Sequence, residues 1–304
     1  MASLSQQGNT VSESPSGISV VIPCYNEENA IVEVLDQLLE TLEKGDVPFE
    51  IITVNDGSTD RTAEQIDPQR FRIVNHETNM GYGAALKTGA SHAKYDCIVI
   101  TDADGTYPNE MILELYQYFK DYEMVVGARV GEKVKIPLIR RPPKWVINQL
   151  ANYLSGHKIP DINSGLRVID KKLFNKYKHY YPDGFSLTTT ITLASLVNHH
   201  RVKYIPINYH HRIGNSKIKP IRDTLNFVSL IVRTIIYFEP LKVFIPLSVG
   251  LFLASFLVGS STLVLEKFFG IGKFMDVTTV LLMLSSIQLF AVGALADLIN
   301  KRMR

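Results

Sequence analysis

Cysteine and tryptophan are scarce in this chain, with two of the former and one of the latter in 304 residues. Cys24 and Cys97 each lie in an apolar run, without a partner at disulfide or metal-ligand spacing. Neither a disulfide scaffold nor a thiolate zinc site is indicated, and two reduced core residues are expected. The first 17 residues lack the charged stretch and apolar core of a secretory signal; rich in Ser, Gln, Gly and Asn, they read as a disordered tail. Charge of either sign is missing from two long runs, Val243 to Leu265 and Val277 to Ala296. An α-helix crosses a hydrocarbon layer of ~30 Å with about 20 apolar residues, so each run is long enough to span. Buried core helices are the competing reading, but these are usually shorter and interrupted by a charge.

Spans at 243–265 and 277–297 form a hairpin over 243–300, joined by a polar-ended linker, Glu266 to Asp276, that contains Gly270 and Gly272. Arg222, Arg233 and Lys242 precede the first span, and Lys301, Arg302 and Arg304 follow the second, which places both flanks and the 301–304 tail on the cytoplasmic side. A hydrophobic fraction of 46% with a mean hydropathy of +0.06 fits one soluble domain, 18–220, tied to an anchor. The net charge of +2 says little by itself. Nucleic acid is not an expected partner. Between Arg201 and Lys242, however, basic residues face only Asp223 and Glu239, a bias suited to an anionic leaflet and to an interfacial helix over 221–242.

From Ile18 onward short apolar runs alternate with longer amphipathic ones. Strands are expected at Ile18 to Pro23, Phe49 to Val54, Phe71 to Val74, Cys97 to Thr101 and Met124 to Val126. Helices are expected at Glu28 to Leu42, Arg61 to Ile66, Tyr82 to Ala93 and Asn109 to Lys120. The alternation predicts an α/β fold with a doubly wound, mainly parallel sheet flanked by helices. Ligands of such sheets sit beyond the carboxyl ends of the strands, which is where chemistry is sought.

After the first strand comes Pro23-Cys24-Tyr25-Asn26-Glu27-Glu28, and after the second Asn55-Asp56-Gly57-Ser58-Thr59-Asp60. Asp56-Gly57 suits a tight turn with an exposed carboxylate that accepts hydrogen bonds from a base or ribose, although turn formation and capping by Ser58 or Thr59 explain the same residues. Asn79-Met80-Gly81-Tyr82-Gly83-Ala84 puts two glycines at a helix start, where backbone can approach a ligand closely. The fourth strand ends in Thr101-Asp102-Ala103-Asp104-Gly105-Thr106-Tyr107-Pro108. Two carboxylates at that spacing suit Mg²⁺ or Mn²⁺ bridging a diphosphate. An isolated Asp-x-Asp is a common turn; its weight comes from following a buried strand, with acids at two earlier strand ends.

Taken in order, these four motifs resemble the family 2 glycosyltransferases of GT-A fold. Within them they look most like the polyprenyl-phosphate sugar synthases, the dolichyl- or undecaprenyl-phosphate mannosyl-, glucosyl- and related transferases. The resemblance runs from Ile18 to about Lys219. It implies a GT-A, Rossmann-like sheet, here followed by interfacial helices and the transmembrane hairpin. It also implies that Pro23, Tyr25, Glu27 and Asp56 hold the base and ribose of a nucleotide-sugar, that Gly81 and Lys87 line the same cleft, and that Asp102 and Asp104 hold a Mg²⁺ or Mn²⁺ ion and the diphosphate. Val126-Gly127-Ala128-Arg129, the run Asp161-Ile162-Asn163-Ser164-Gly165-Leu166-Arg167, and Arg212-Ile213-Gly214-Asn215-Ser216-Lys217 look like the same subgroup. The Gln-x-x-Arg-Trp motif of processive polysaccharide synthases is missing; Trp145 follows Lys144, which speaks against polymerisation.

Negative charge grows on the departing nucleoside diphosphate, so a metal and cationic side chains stabilise it. A lipid phosphate has a second pKa of about 6 and is largely a dianion at pH 7, so the acceptor is already a nucleophile and needs no strong general base. It does need a cationic seat. Arg129, Arg167, Arg212 and Lys217 are the candidates, with Ser164 among them and Arg129 and Arg212 foremost. Asp161 is placed to orient the acceptor or the sugar hydroxyls, and direct attack by the phosphate predicts inversion.

Ile136 to Leu154 and Thr224 to Phe238 mix basic and apolar residues as headgroup-plane helices do, the first beginning near Lys144 because of Pro142 and Pro143. The His199–His200 and His210–His211 pairs read as surface or core residues. UDP-glucose is favoured as donor, GDP-mannose next. Transfer to a glycan or protein hydroxyl, or a non-catalytic sugar-nucleotide-binding subunit, are the alternatives. Gly250, Ala254, Gly259 and Gly293 would allow the hairpin to pack in a homo-oligomer.

Overall fold

A computed structural model of the chain describes residues 17–130, 141–184, 186–210, 220–269 and 273–303. Two compact units share them. The first comprises Met1–Lys135, Asn163–Thr188 and Arg201–Lys217; the second comprises Ile136–Ile162, Thr189–His200 and Ile218–Arg304.

The first unit is built on a seven-stranded sheet. Its strands are β1 (Ile18–Cys24), β2 (Phe49–Asn55), β3 (Arg72–Asn75), β4 (Cys97–Ile100), β5 (Met124–Ala128), β6 (Arg167–Asp170) and β7 (Val202–Pro206), arranged in the order β3-β2-β1-β4-β6-β5-β7. All neighbours are parallel except β6, which runs antiparallel to β4 and β5. The α/β, mainly parallel sheet is therefore as expected. Strands β1, β4 and β5 are buried along their whole length, as continuous apolar runs are in a sheet covered on both faces. β6 gave little signal in advance because its four residues, Arg-Val-Ile-Asp, are half charged.

Helices α1 (Ile31–Glu43), α2 (Thr62–Gln65), α3 (Tyr82–His92) and α4 (Ile112–Gln117) connect the parallel strands. Helix α1 buries Ile31, Val34, Leu35, Leu38 and Leu42, the stripe that a 3.6-residue period produces. It starts three residues later than expected, since the amides of Ala30 and Ile31 both turn back onto the Glu27 carbonyl. The stretch expected as one helix from Asn109 opens as a 3₁₀ turn, Asn109–Met111, and leaves α4 through further short-range bonds from Tyr118 and Phe119 to Leu115 and Tyr116.

In the second unit lie α5 (Arg141–Ser155), most of α7 (Leu187–Val197), α8 (Pro220–Phe238), α9 (Leu241–Phe269) and α10 (Lys273–Met303); the short α6 (Lys171–Lys176) belongs to the first unit. Helix α5 begins at Arg141 rather than near Lys144: prolines in a first turn forgo only amides that have no intrahelical partner. Helix α8 is amphipathic, with Ile231 and Ile235 fully buried and Tyr237 exposed. Helices α9 and α10 form an antiparallel hairpin. Gly259 faces Thr279, Gly293 faces Phe244, and the Ser286 hydroxyl donates to the Ser248 carbonyl over 2.8 Å. Both helices extend into the stretch expected as a loop from Glu266 to Asp276, leaving 270–272 between them. Leu241–Val264 and Val277–Arg302 are long and apolar enough to cross a membrane, and only 11% of each window is buried. That exposure argues against the core helices of a soluble protein. At the other end, Asn300 caps α8 by donating its side-chain amide to the Ile236 and Tyr237 carbonyls.

Candidate active site

The sheet order reverses between β1 and β4: from β1 the chain moves outward through β2 and β3, then returns to place β4 on β1's other side. This is the switch point at which doubly wound sheets bind ligands. Pairing between β1 and β4 ends at Val21–Ile100, whereas β1 continues beside β2 through Cys24–Asn55. Pro23, which has no amide hydrogen to give, thus sits where no β4 residue pairs with it.

Beyond β1 and β2 the two loops interlock. Asn26 adopts φ 55°, a left-handed conformation that asparagine tolerates. Its amide donates to Ser58 Oγ (3.1 Å) and its side-chain oxygen accepts from the Thr59 amide (2.8 Å). The Glu27 amide donates to Thr62 Oγ1 (2.8 Å) and the Glu28 amide to Asp60 Oδ2 (3.2 Å). Tyr25 and Glu27 are half-buried beside this lock.

Asp56 departs from the exposed carboxylate expected of a Asp-Gly turn, being only 3% accessible. Oδ1 meets His76 Nδ1 at 2.6 Å and accepts the Met80 amide at 2.9 Å; Oδ2 accepts the Gly81 amide at 2.8 Å. The other nitrogen of His76 lies 3.0 Å from Thr88 Oγ1 on α3. Asp56 therefore shapes the Asn79–Gly81 turn from beneath. His76 was missed in the sequence because one histidine after a short strand has no motif around it.

The glycine pair serves protein backbone. Gly81 has φ 102°, and a Cβ there would lie 2.5 Å from the Asp183 carbonyl oxygen; at Gly83 it would lie 2.2 Å from that of Pro182. Only glycine lets the 182–184 loop seat on the start of α3, where the Ala84 amide donates to the Asp183 carbonyl (3.1 Å). Lys87 holds the same loop, donating to the Asp183 carboxylate and, at 3.4 Å, to the Tyr181 carbonyl. Lys87, expected along a nucleotide cleft, is here bridged to this loop.

Past β4, Asp104 is 7% accessible and its Oδ1 accepts from the Thr106 amide (3.1 Å) and hydroxyl (2.6 Å), which closes the turn. Asp102 is more open. Tyr82, the first residue of α3, donates its hydroxyl to Asp102 Oδ1 over 2.9 Å. Gly165 lies against the carboxylate, so that a Cβ at 165 would be 3.0 Å from both oxygens. The Gly165 amide in turn donates to the Tyr107 hydroxyl (2.6 Å). Tyr107 meets the Tyr209 ring edge-on at 5.4 Å, and the Arg129 guanidinium lies 5.3 Å from the centre of that ring. Burial first, then the charge of Asp102, pushes the Tyr82 hydroxyl well above its ordinary pKa. Burial likewise raises Tyr107, against the pull of Arg129. Both stay protonated at neutral pH. Asp102 and Arg129, which follow the successive strands β4 and β5, are thus joined through Gly165, Tyr107 and Tyr209.

Two of the expected acceptor residues are structural. Arg167 is fully buried, with Nε donating to the Ser164 carbonyl (2.6 Å) and a terminal nitrogen to the Thr188 carbonyl (3.0 Å). A phosphate does not reach it. Ser164 is also fully buried and donates its hydroxyl to the Gly127 carbonyl. Asp161 belongs to the second unit and is buried there. Arg212 and Lys217 lie outside the described residues. Among the described residues no three or more His, Cys, Asp or Glu side chains gather as a metal cluster. Asp102 and Asp104 offer an all-oxygen donor pair, which fits a hard cation completed by diphosphate oxygens and water.

Residues 19–178 match glycosyl transferase family 2, and residues 239–301 match the GtrB C-terminal hairpin; the chain belongs to glycosyl transferase family 2. It is 28% identical over 298 residues to an undecaprenyl-phosphate 4-deoxy-4-formamido-L-arabinose transferase of Pectobacterium atrosepticum, covering 93% of this chain and 88% of that one. To a dolichyl-phosphate hexose transferase of Haloferax volcanii it is 28% identical over 205 residues, 67% and 87% of the two chains. It spans about half (51%) of an uncharacterized glycosyltransferase, YkcC, of Bacillus subtilis, at 32% identity and over 53% of this chain. In fold it resembles glucosyl-3-phosphoglycerate synthase of Mycobacterium tuberculosis, solved with Mn²⁺, UDP and phosphoglyceric acid (TM-score 0.57, 18% identity, 72% and 78% coverage). The fold is GT-A-like.

Proposed function

We propose that this protein transfers a sugar from a nucleotide-sugar to the phosphate of a polyprenyl phosphate at the cytoplasmic face of a membrane, with inversion at the anomeric carbon. The observation that carries the reading is the joining of Asp102 to Arg129 through Gly165, Tyr107 and Tyr209 at the switch point of the sheet. One side of that cluster suits a diphosphate and the other a second anion. The names of the Pectobacterium and Haloferax relatives support the acceptor, and the two exposed apolar helices support a lipid one.

The donor's base and ribose sit over Pro23, Tyr25 and Glu27, on a floor shaped by Asp56 and the Gly81 turn. Asp102 and Asp104 would hold a divalent cation, Mg²⁺ or Mn²⁺, which would supply positive charge at the diphosphate. Arg129 seats the acceptor phosphate, its guanidinium kept in place by the Tyr209 face. An acceptor oxygen forms the new bond to the anomeric carbon as the bond to the nucleoside diphosphate breaks, and the electron pair leaves with the diphosphate. The dianionic acceptor has no proton to lose, so the transfer needs no strong general base. The basic flanks of the hairpin support a cytoplasmic side for the catalytic domain. UDP-glucose is the favoured donor and GDP-mannose the next.

The test is transfer from radiolabelled UDP-glucose and, separately, GDP-mannose to polyprenyl phosphate by the full chain in liposomes, with Mg²⁺ or Mn²⁺, beside Asp104→Ala. Metal-dependent lipid product from one donor, lost in the variant, is expected. Product that survives chelation of all metal contradicts the role given to the acid pair.

A further inference from the structure

Asp102 is held before any ligand arrives. Three features converge on its carboxylate from separate segments of the first unit. The Tyr82 hydroxyl, from the start of α3, donates to Oδ1 over 2.9 Å. Gly165 lies beneath both oxygens, so close that a methyl group there would press on each at 3.0 Å. Tyr107, from the turn after β4, fixes Gly165 by accepting its amide over 2.6 Å. Tyr82 is itself set by its neighbours: Gly81 and Gly83 on either side of it are the positions where the 182–184 backbone seats.

We infer that Tyr82 is a positioning residue for the metal-binding carboxylate, fixing the rotamer of Asp102 through the hydrogen bond to its Oδ1. This deepens the reading above and rests on it, since the cation at Asp102 is part of that reading. The physical basis is preorganisation: a carboxylate that is free to rotate loses side-chain entropy when it binds metal, and a fixed one does not. A partner of this kind, hydrogen-bonded to a ligand without touching the metal, is worth on the order of 10-fold in metal affinity. A tyrosine hydroxyl suits the task because, as a neutral donor, it leaves the negative charge of the carboxylate in place for the cation.

The test is Mn²⁺ binding to the full chain in nanodiscs, followed by loss of the free-ion electron paramagnetic resonance signal, with UDP or GDP added separately. Wild type is compared with Tyr82→Phe, Gly165→Ala and Asp102→Asn. Tyr82→Phe is expected to raise the Mn²⁺ dissociation constant about 10-fold. It should also raise the Mn²⁺ concentration for half-maximal transfer, with kcat at saturating metal within about twofold of wild type and the melting temperature little changed. Gly165→Ala displaces the carboxylate by contact instead, and weakens Mn²⁺ binding even though Tyr82 is intact. Mn²⁺ affinity unchanged in Tyr82→Phe, while Asp102→Asn loses it, overturns the positioning role and spares the metal site. Affinity unchanged in Asp102→Asn overturns both.

Discussion

Two arginines in this chain have opposite fates, and the difference is one of burial. Arg129 emerges past β5 with its guanidinium against the Tyr209 ring, whereas Arg167 opens β6 with its guanidinium spent on the Ser164 and Thr188 carbonyls. Replacing Arg167 by alanine leaves those carbonyls without their donor and opens a cavity. Such a change costs on the order of 3–5 kcal/mol, read as a lower melting temperature. Arg129→Ala should leave the melting temperature nearly unchanged and lower transfer by weakening the acceptor, seen as a raised KM for polyprenyl phosphate. An Arg167→Ala protein that melts like wild type would refute this division. In the sequence both arginines sit in motifs and both were acceptor candidates, Arg129 the foremost, since a motif names a residue type and says nothing of which carbonyls surround it. The same limit applied to Asp56. Its place after a strand was legible, but its burial under His76 depends on a contact 20 residues away.

At the scale of elements, the strands and helices of the first half were legible because their apolar residues repeat with clear periods, as in β1 and α1. β6 and β7 were not: each is short, and β6 owes its position to pairing with β4 and β5 rather than to its own composition. Also beyond the sequence was the lock between the loops after β1 and β2. Asp60 is central to it, accepting from the Thr62 amide and hydroxyl and the Glu28 amide. Burial opposes its charge, yet these bonds outweigh burial and hold its carboxyl below the ordinary value of 3.8. A carboxyl lowered on folding stabilises the fold above its unfolded value, and the gain is lost as pH falls through the folded one. Melting temperatures from pH 7 to pH 3 should therefore show Asp60→Asn below wild type at neutral pH, with the gap closing below about pH 4. A gap that stays constant over that range would remove Asp60's charge from the account.

For the molecule as a whole, the division of labour between a doubly wound sheet and an apolar hairpin followed from hydropathy alone, because uncharged runs of that length have few other uses. The helices proved longer than the runs, reaching Phe269 and starting again at Lys273, since nothing in Glu266 to Asp276 breaks a helix until the glycines. Within the hairpin Gly259 and Gly293 are filled by Thr279 and Phe244, whereas Gly250 has no neighbour. Two of the glycines that would allow packing between copies are thus used inside one chain.

The central claim is that the acceptor is a phosphate. It is tested most directly by offering the full chain, in liposomes with donor and Mn²⁺, two lipids that differ in one group: polyprenyl phosphate and the polyprenol of the same length. A dianion needs no base and has the Arg129 seat; an alcohol has a proton to lose and no charge to be seated. Sugar appearing on the phosphate lipid alone, in a mild-acid-labile linkage, is the predicted result. Equal transfer to the polyprenol would contradict the account, because it would require a general base that this reading does not supply.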